Sequence, residues 1–240
     1  MPFIKTDFSI PLAELRKDTG KEKAGGEEGG SNNFRPVCLK CRVFEGTPGS
    51  AYAEFGETKV LARVYGPNDD PNGDSDAATL SLKVKGILDT SRIASQLLSV
   101  IKTCVMVHKY SQCSFDVEVT VLSDDGGLLQ CAIMAATMAL ADAEVLVLDV
   151  VVAAHVARTA SGEWIVDPSS SQIEADCSEC TLALMPNQNQ TVCFDVRGGH
   201  LTSRLIDEFI ALATEKAMKL YPVLRKALIA TLSVDESSIC

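Results

Sequence analysis

Apolar and polar residues alternate with a period of two through much of the chain, and the period lengthens towards 3.6 in three places. Alternation predicts a strand over Arg35–Phe44, a turn at GTPGS, and strands over Ala51–Phe55 and Thr58–Tyr65 about a tight reversal at Gly56–Glu57. That is an antiparallel meander. Gly66–Ala77 (GPNDDPNGDSDA) reads as an exposed loop from its proline, glycine and acid content, and Thr79–Lys85 as a further strand. Within Thr90–His108, Ile93, Leu97, Val100 or Ile101, and Cys104 fall on one stripe of a helix. Cys113–Leu122 is a strand through Phe115, Val117, Val119 and Val121, and the acidic glycine turn after it opens a helix running to about Asp142.

That second helix is apolar or small on every side, which predicts burial on more than one face. Val145–Ala157 reads as one long apolar strand, Glu163–Val166 returns it, and Cys180–Met185 with Thr191–Val196 forms a hairpin about PNQN. Leu201–Leu220 is a helix with Thr202 as N-cap; Tyr221–Pro222 interrupts or kinks it, and Val223–Leu232 continues. Residues 1–33 form a polar, glycine-rich arm, 34–232 the folded domain and 233–240 a tail. The order predicts an α+β fold of two similar β-rich halves with helices packed on them.

The 240 residues hold 32 acidic and 22 basic side chains, a net charge of −10, so any contact with a polyanion must be local. No apolar run is long enough for a membrane span, and MPFIKTDFSI lacks an apolar signal core. Nine cysteines, several of them in apolar runs (Cys104, Cys113, Cys131, Cys193), read as small buried hydrophobes of an intracellular protein.

Five constellations are candidates for chemistry. Gly126 and Gly127 open a helix N-terminus shaped for an anion, yet Leu128, Leu129 and Gln130 bring neither cation nor hydroxyl. A packing turn is the expectation there. Asp167 has Glu174, Asp176 and Glu179 nearby, but nothing in the intervening residues fixes their separation, so a solvated acidic loop is expected. Cys38 and Cys41 pair in spacing with Cys177 and Cys180 as in a zinc site, but residues three apart in a strand face opposite ways. His108, His155 and His200 are dispersed beside no nucleophile motif, His200 belonging to the turn before the last helix. Arg35, Lys40, Arg42, Lys59 and Arg63 lie on early strands and could hold RNA phosphates, although few aromatic residues accompany them.

The ordered blocks GSAYAEFGETKVLARVYGP (Gly49–Pro67), DDGGLLQCAIMAATMALADA (Asp124–Ala143) and WIVDPS (Trp164–Ser169) resemble the ribonuclease PH family over residues 34–230. Within it, LALMPNQNQ, GGHLT and LYPVL look most like the mRNA-transport-regulator type of subunit in the eukaryotic RNA exosome ring. The resemblance implies a ribonuclease PH-like (ribosomal protein S5 domain 2-like) fold. It also implies a phosphate cradle of Gly-Thr-Arg-Thr, where this chain has Gly127, Leu128, Leu129 and Gln130. Of the family's two aspartates, Asp167 matches the first and Ile173 stands at the second, and the two arginines of the preceding helix match Gln96 and Ser99.

A catalytically inactive subunit without cofactor or metal is the expectation that follows. The implied partners are other ribonuclease PH-like subunits in a six-membered ring, cap subunits with RNA-binding domains, RNA in the channel and associated nucleases, in nucleus, nucleolus and cytoplasm. An active phosphate-dependent 3'-to-5' exoribonuclease and an independent RNA-binding module remain the alternatives.

Overall fold

The computed structural model describes residues 33–86, 91–174, 176–199 and 201–236. The N-terminal arm up to residue 32, the last four residues of the C-terminal tail and His200 lie outside them. Strands β1 (Val37–Cys41), β2 (Gly49–Phe55), β3 (Thr58–Asp69), β4 (Thr79–Lys85) and β5 (Cys113–Ser123) form one sheet in the order β1-β2-β3-β5-β4. Every pairing is antiparallel except β4 with β5. A parallel pair needs a crossover, and helix α1 (Ser91–Cys104) supplies it. Helix α2 (Leu128–Asp142) then leads to a second, antiparallel sheet, β7-β6-β8-β9, built from β6 (Val152–Arg158), β7 (Trp164–Val166), β8 (Ser178–Met185) and β9 (Gln190–Arg197). Helix α3 (Ser203–Glu236) closes the chain.

Inward residues of the first sheet are all but sealed from water: Ala51, Ala53, Phe55, Val60, Ala62, Val64, Phe115, Val117 and Val119. Their alternates, Ser50 apart, are half-buried or exposed, the signature of an antiparallel sheet covered on one face. Helix α2 packs on β2 and β3 and also on β6 and β8, and is buried from Leu128 to Leu140. Close packing on both sides explains its small residues. A Cβ on Gly49 would stand 2.2 Å from the Ala139 carbonyl oxygen, so only glycine lets β2 cross α2 there.

The structure departs from the alternation in two places. The apolar run from Val145 is strand only from Val152. Before that, Val147 bridges to Val105, Leu148 N–H donates to the Cys104 carbonyl, and Asp149 accepts backbone N–H groups of Asn187 and Gln188. These bonds hold the segment as a connector, with Leu146 and Leu148 exposed. The second departure is α3, which continues through Pro222. Pro222 is exposed, and Leu220 and Leu224 on either side of it are buried, so packing carries the helix across the missing N–H. Thr202 caps α3 as expected, its Oγ1 accepting the Leu205 N–H at 3.3 Å.

Cys104 and Cys131 are buried, whereas Cys113 and Cys193 are only half-buried. Burial pushes the Cys104 thiol up to about 12, a protonated and unreactive state. No helix of the described residues is long and apolar enough to cross a membrane.

Candidate functional site at the start of the second helix

Strand β5 ends in a turn whose two glycines both take positive φ, 91° at Gly126 and 67° at Gly127, the residue that precedes α2. Thr58 of β3 clamps this turn: its Oγ1 accepts the Asp125 N–H at 2.9 Å and donates to the Gly126 carbonyl at 2.7 Å. The turn lies tightly against the segment after β7. A Cβ on Gly126 would fall 2.6 Å from the Pro168 carbonyl oxygen, and one on Gly127 3.1 Å from Asp167 Oδ1.

Asp167 is the centre of the site. Its side chain is fully buried, its φ is 51°, and Arg35 grips it with Nε at 3.0 Å from Oδ2 and Nη2 at 2.8 Å from Oδ1. The same guanidinium donates from Nη1 to the Asp125 carbonyl at 2.8 Å and from Nη2 to the Gly126 carbonyl at 3.0 Å. One arginine thereby ties the chain before β1 to the glycine turn and to the second half. A two-pronged, charge-assisted pair of this kind leaves both Asp167 oxygens occupied.

The three positions after Gly127 point into the fold. Leu128 is 7% exposed, Leu129 3% and Gln130 0%. Gln130 Oε1 accepts the backbone N–H of His155, which assigns its amide; a flip would set donor against donor. Gln130 Nε2 and the Nε2 of His155 are buried without a hydrogen-bond partner among the described residues. His155 Nδ1 lies 2.9 Å from Thr181 Oγ1. Its Nε2 is 3.4 Å from Glu179 Oε2, an ion-pair distance, and this contact holds the Glu179 carboxyl below its usual range.

Asp195 continues the row, directly opposite Thr181 on β9. Burial raises its carboxyl, but hydrogen bonds from Arg92, Gln96 and Arg197 outweigh burial and leave it lowered. Gln96 is therefore spent on Asp195, while Ser99 is exposed. Ile173 is half-buried at the end of a short turn, and Glu174 and Asp176 are exposed. His108 is exposed on a short helical turn, Val107–Lys109. Among the described residues no group of three His, Cys, Asp or Glu side chains is arranged to hold a metal ion.

The five basic residues do not all share one surface: Lys40, Lys59 and Arg63 lie on one face of the first sheet, Arg35 and Arg42 do not. Arg35 is enclosed in the turn, and Arg42 reaches Asp142 at 3.2 Å. Arg63 lies 4.1 Å over the Phe44 ring, and Lys59 sits 3.3 Å from Glu57. Lys40 is exposed on the edge strand. Sequence reading missed the Arg35–Asp167 pair and the His155–Glu179 contact, since both depend on which strands become neighbours.

The model of the 3' exoribonuclease family, domain 1 (RNase_PH), matches residues 33–145. Human exosome complex component MTR3 is 30% identical over 226 residues, 82% of this chain and 83% of the relative. The chain belongs to the RNase PH family. Exosome complex component Rrp41 of Nitrosopumilus maritimus is 29% identical over 81% of this chain and 85% of its own length. The crystal structure of rice Rrp46 superposes with a TM-score of 0.74 at 21% identity, covering 83% of this chain and 98% of that one. The RNase PH fold thus spans both sheets, well beyond the segment the family model matches.

Proposed function

We propose that this chain is a non-catalytic subunit of an exosome core ring. It supports 3'-to-5' RNA processing and decay by holding ring geometry and docking a cap subunit. The observation that carries this reading is the state of the glycine turn. Its one matching acid, Asp167, is buried under Arg35, and the positions that correspond to the family's phosphate ligands, Leu128, Leu129 and Gln130, are core. A phosphoryl group in transfer needs preorganised cations, and this turn spends its only guanidinium on its own carboxylate and carbonyls.

What the turn retains is structural. Closed rings of related subunits need rigid, matching surfaces rather than a reactive centre in every member. The likeness to MTR3 supports placement beside other RNase PH-like subunits, with cap subunits on one side, RNA in the channel and nucleases attached. Such an assembly would act in nucleus, nucleolus and cytoplasm.

Affinity purification of the tagged chain followed by native mass spectrometry tests the assignment. The expected result is a hetero-oligomer containing other RNase PH-like chains, and no phosphate-dependent shortening of RNA by the purified chain alone. Phosphorolysis by that chain, abolished by Asp167→Ala, would instead identify an active exoribonuclease.

A further inference from the structure

The first sheet has a second face, and no helix of the described residues packs on it. The strand registers lay its side chains out as a grid. One row runs Lys40, Tyr52, Leu61, Thr120, Lys85; the next runs Arg63, Glu118, Lys83; the last holds Tyr65, Asp116 and Ser81. Lys59 and Glu54 face each other at the β2–β3 end. Tyr52 and Leu61 lie between Lys40 and Lys85 in the first row, Tyr65 lies two rows along β3 beside Asp116, Lys59 and Lys83 flank them, and Arg63 between Leu61 and Tyr65 stacks on Phe44. In a chain of net charge −10, this face and its rim carry those five cations against four carboxylates, Glu54, Glu57, Asp116 and Glu118.

We propose that this uncovered sheet face binds single-stranded RNA, with bases on Tyr52 and Tyr65 and phosphates on the surrounding lysines. A flat sheet with aromatic side chains at its centre is a stacking platform, and cations at its margin track the backbone. The pairs already present do not block this. Lys59 is 3.3 Å from Glu57 and 3.8 Å from Glu54, and Lys85 2.9 Å from Glu118, all partly exposed, and such pairs contribute little and exchange readily. Lys40 and Lys83 are exposed. Charge on this face therefore favours a polyanion over an acidic or apolar protein surface. The choice of RNA over DNA rests on the exosome reading above.

Fluorescence anisotropy of a labelled U12 RNA with the full chain, titrated at several salt concentrations, tests the proposal. Lys40→Ala/Lys83→Ala is expected to lower affinity about 10-fold or more at low salt and to flatten the log–log salt slope by about 1.4, from about 0.7 per phosphate contact. Tyr65→Leu keeps the apolar bulk and is expected to weaken binding about 5-fold or more through lost stacking. Lys219→Ala, on the exposed side of α3, serves as control and leaves binding unchanged. No binding by the wild-type chain at low salt, or binding that ignores both variants, overturns the proposal. So does protection of Lys40 and Lys83 from amine labelling by a neighbouring subunit in the purified ring without RNA. Failure of the chain to co-purify with ring subunits would sink the exosome reading while leaving the anisotropy result to stand.

Discussion

Arg35 and Asp167, 132 residues apart in sequence, form a two-pronged ion pair whose carboxylate is fully buried and whose guanidinium also holds the carbonyls of Asp125 and Gly126. Replacing Arg35 by Met leaves the buried Asp167 carboxylate without its partner, while the Asp125 and Gly126 carbonyls keep the bonds from Ser170 N–H and Thr58 Oγ1. The expected cost is about 3–5 kcal/mol, read from the denaturant midpoint. In a double-mutant cycle, Asp167→Asn added to Arg35→Met should cost far less than the sum of the two single changes.

On the non-catalytic reading proposed above, Thr-Arg-Thr placed at Leu128, Leu129 and Gln130 should not produce phosphorolysis. Leu129 is 3% exposed, so an arginine there is a buried, unpaired charge. The triple variant is expected to unfold at a markedly lower temperature than wild type and to show no phosphate-dependent activity. Turnover from a stably folded triple variant would refute the view that these positions are now core.

Gly49→Ala and Gly46→Ala separate close packing from backbone strain. A Cβ at Gly49 would meet the Ala139 carbonyl oxygen at 2.2 Å, whereas nothing lies within 4 Å of one at Gly46, whose φ is 84°. Gly49→Ala should cost about 3 kcal/mol or more because α2 must shift. Gly46→Ala should cost about 1–2 kcal/mol from φ alone. Equal thermal shifts would show that β2 and α2 are less tightly apposed.

Glu179 gives the acid limb of the stability profile a specific source. Its carboxyl is held below the ordinary 4.5 by His155, so its folded value lies under its unfolded one. The stabilisation is complete above pH 4.5 and disappears as pH falls through the lowered value. Glu179→Gln should flatten stability against pH in that acid window and leave the slope above pH 7 unaltered.

Pro222 sits inside α3, where it removes one intrahelical hydrogen bond while its neighbours Leu220 and Leu224 stay buried. Pro222→Ala is expected to raise stability, by up to about 3 kcal/mol, as measured by thermal melting. A loss of stability would show that the proline ring makes contacts that outweigh the missing bond.

Much of the fold was legible in local pattern. The strand Thr79–Lys85, the β5–turn–α2 unit and the buried character of α2 follow from alternation, two glycines and a helix without a polar face. Those signals act within a few residues, so sequence carries them directly. The run from Val145 is strand only from Val152, and α3 is not interrupted at Pro222, because apolar content and a single breaker residue do not say what the segment packs on. Tertiary bonds from Cys104 and Asn187, and burial of Leu220 and Leu224, decided those cases.

The glycine turn shows the same division. From the sequence alone, the turn could be read as anion-shaped yet without a cation after it, and as one of a series of blocks resembling a family. That Arg35 belongs to this turn rather than to an outward basic patch came only from folding, which brings the chain before β1 beside Asp167. A guanidinium looks the same in sequence whether it faces solvent or a buried carboxylate, and only three-dimensional neighbours settle which charge it neutralises.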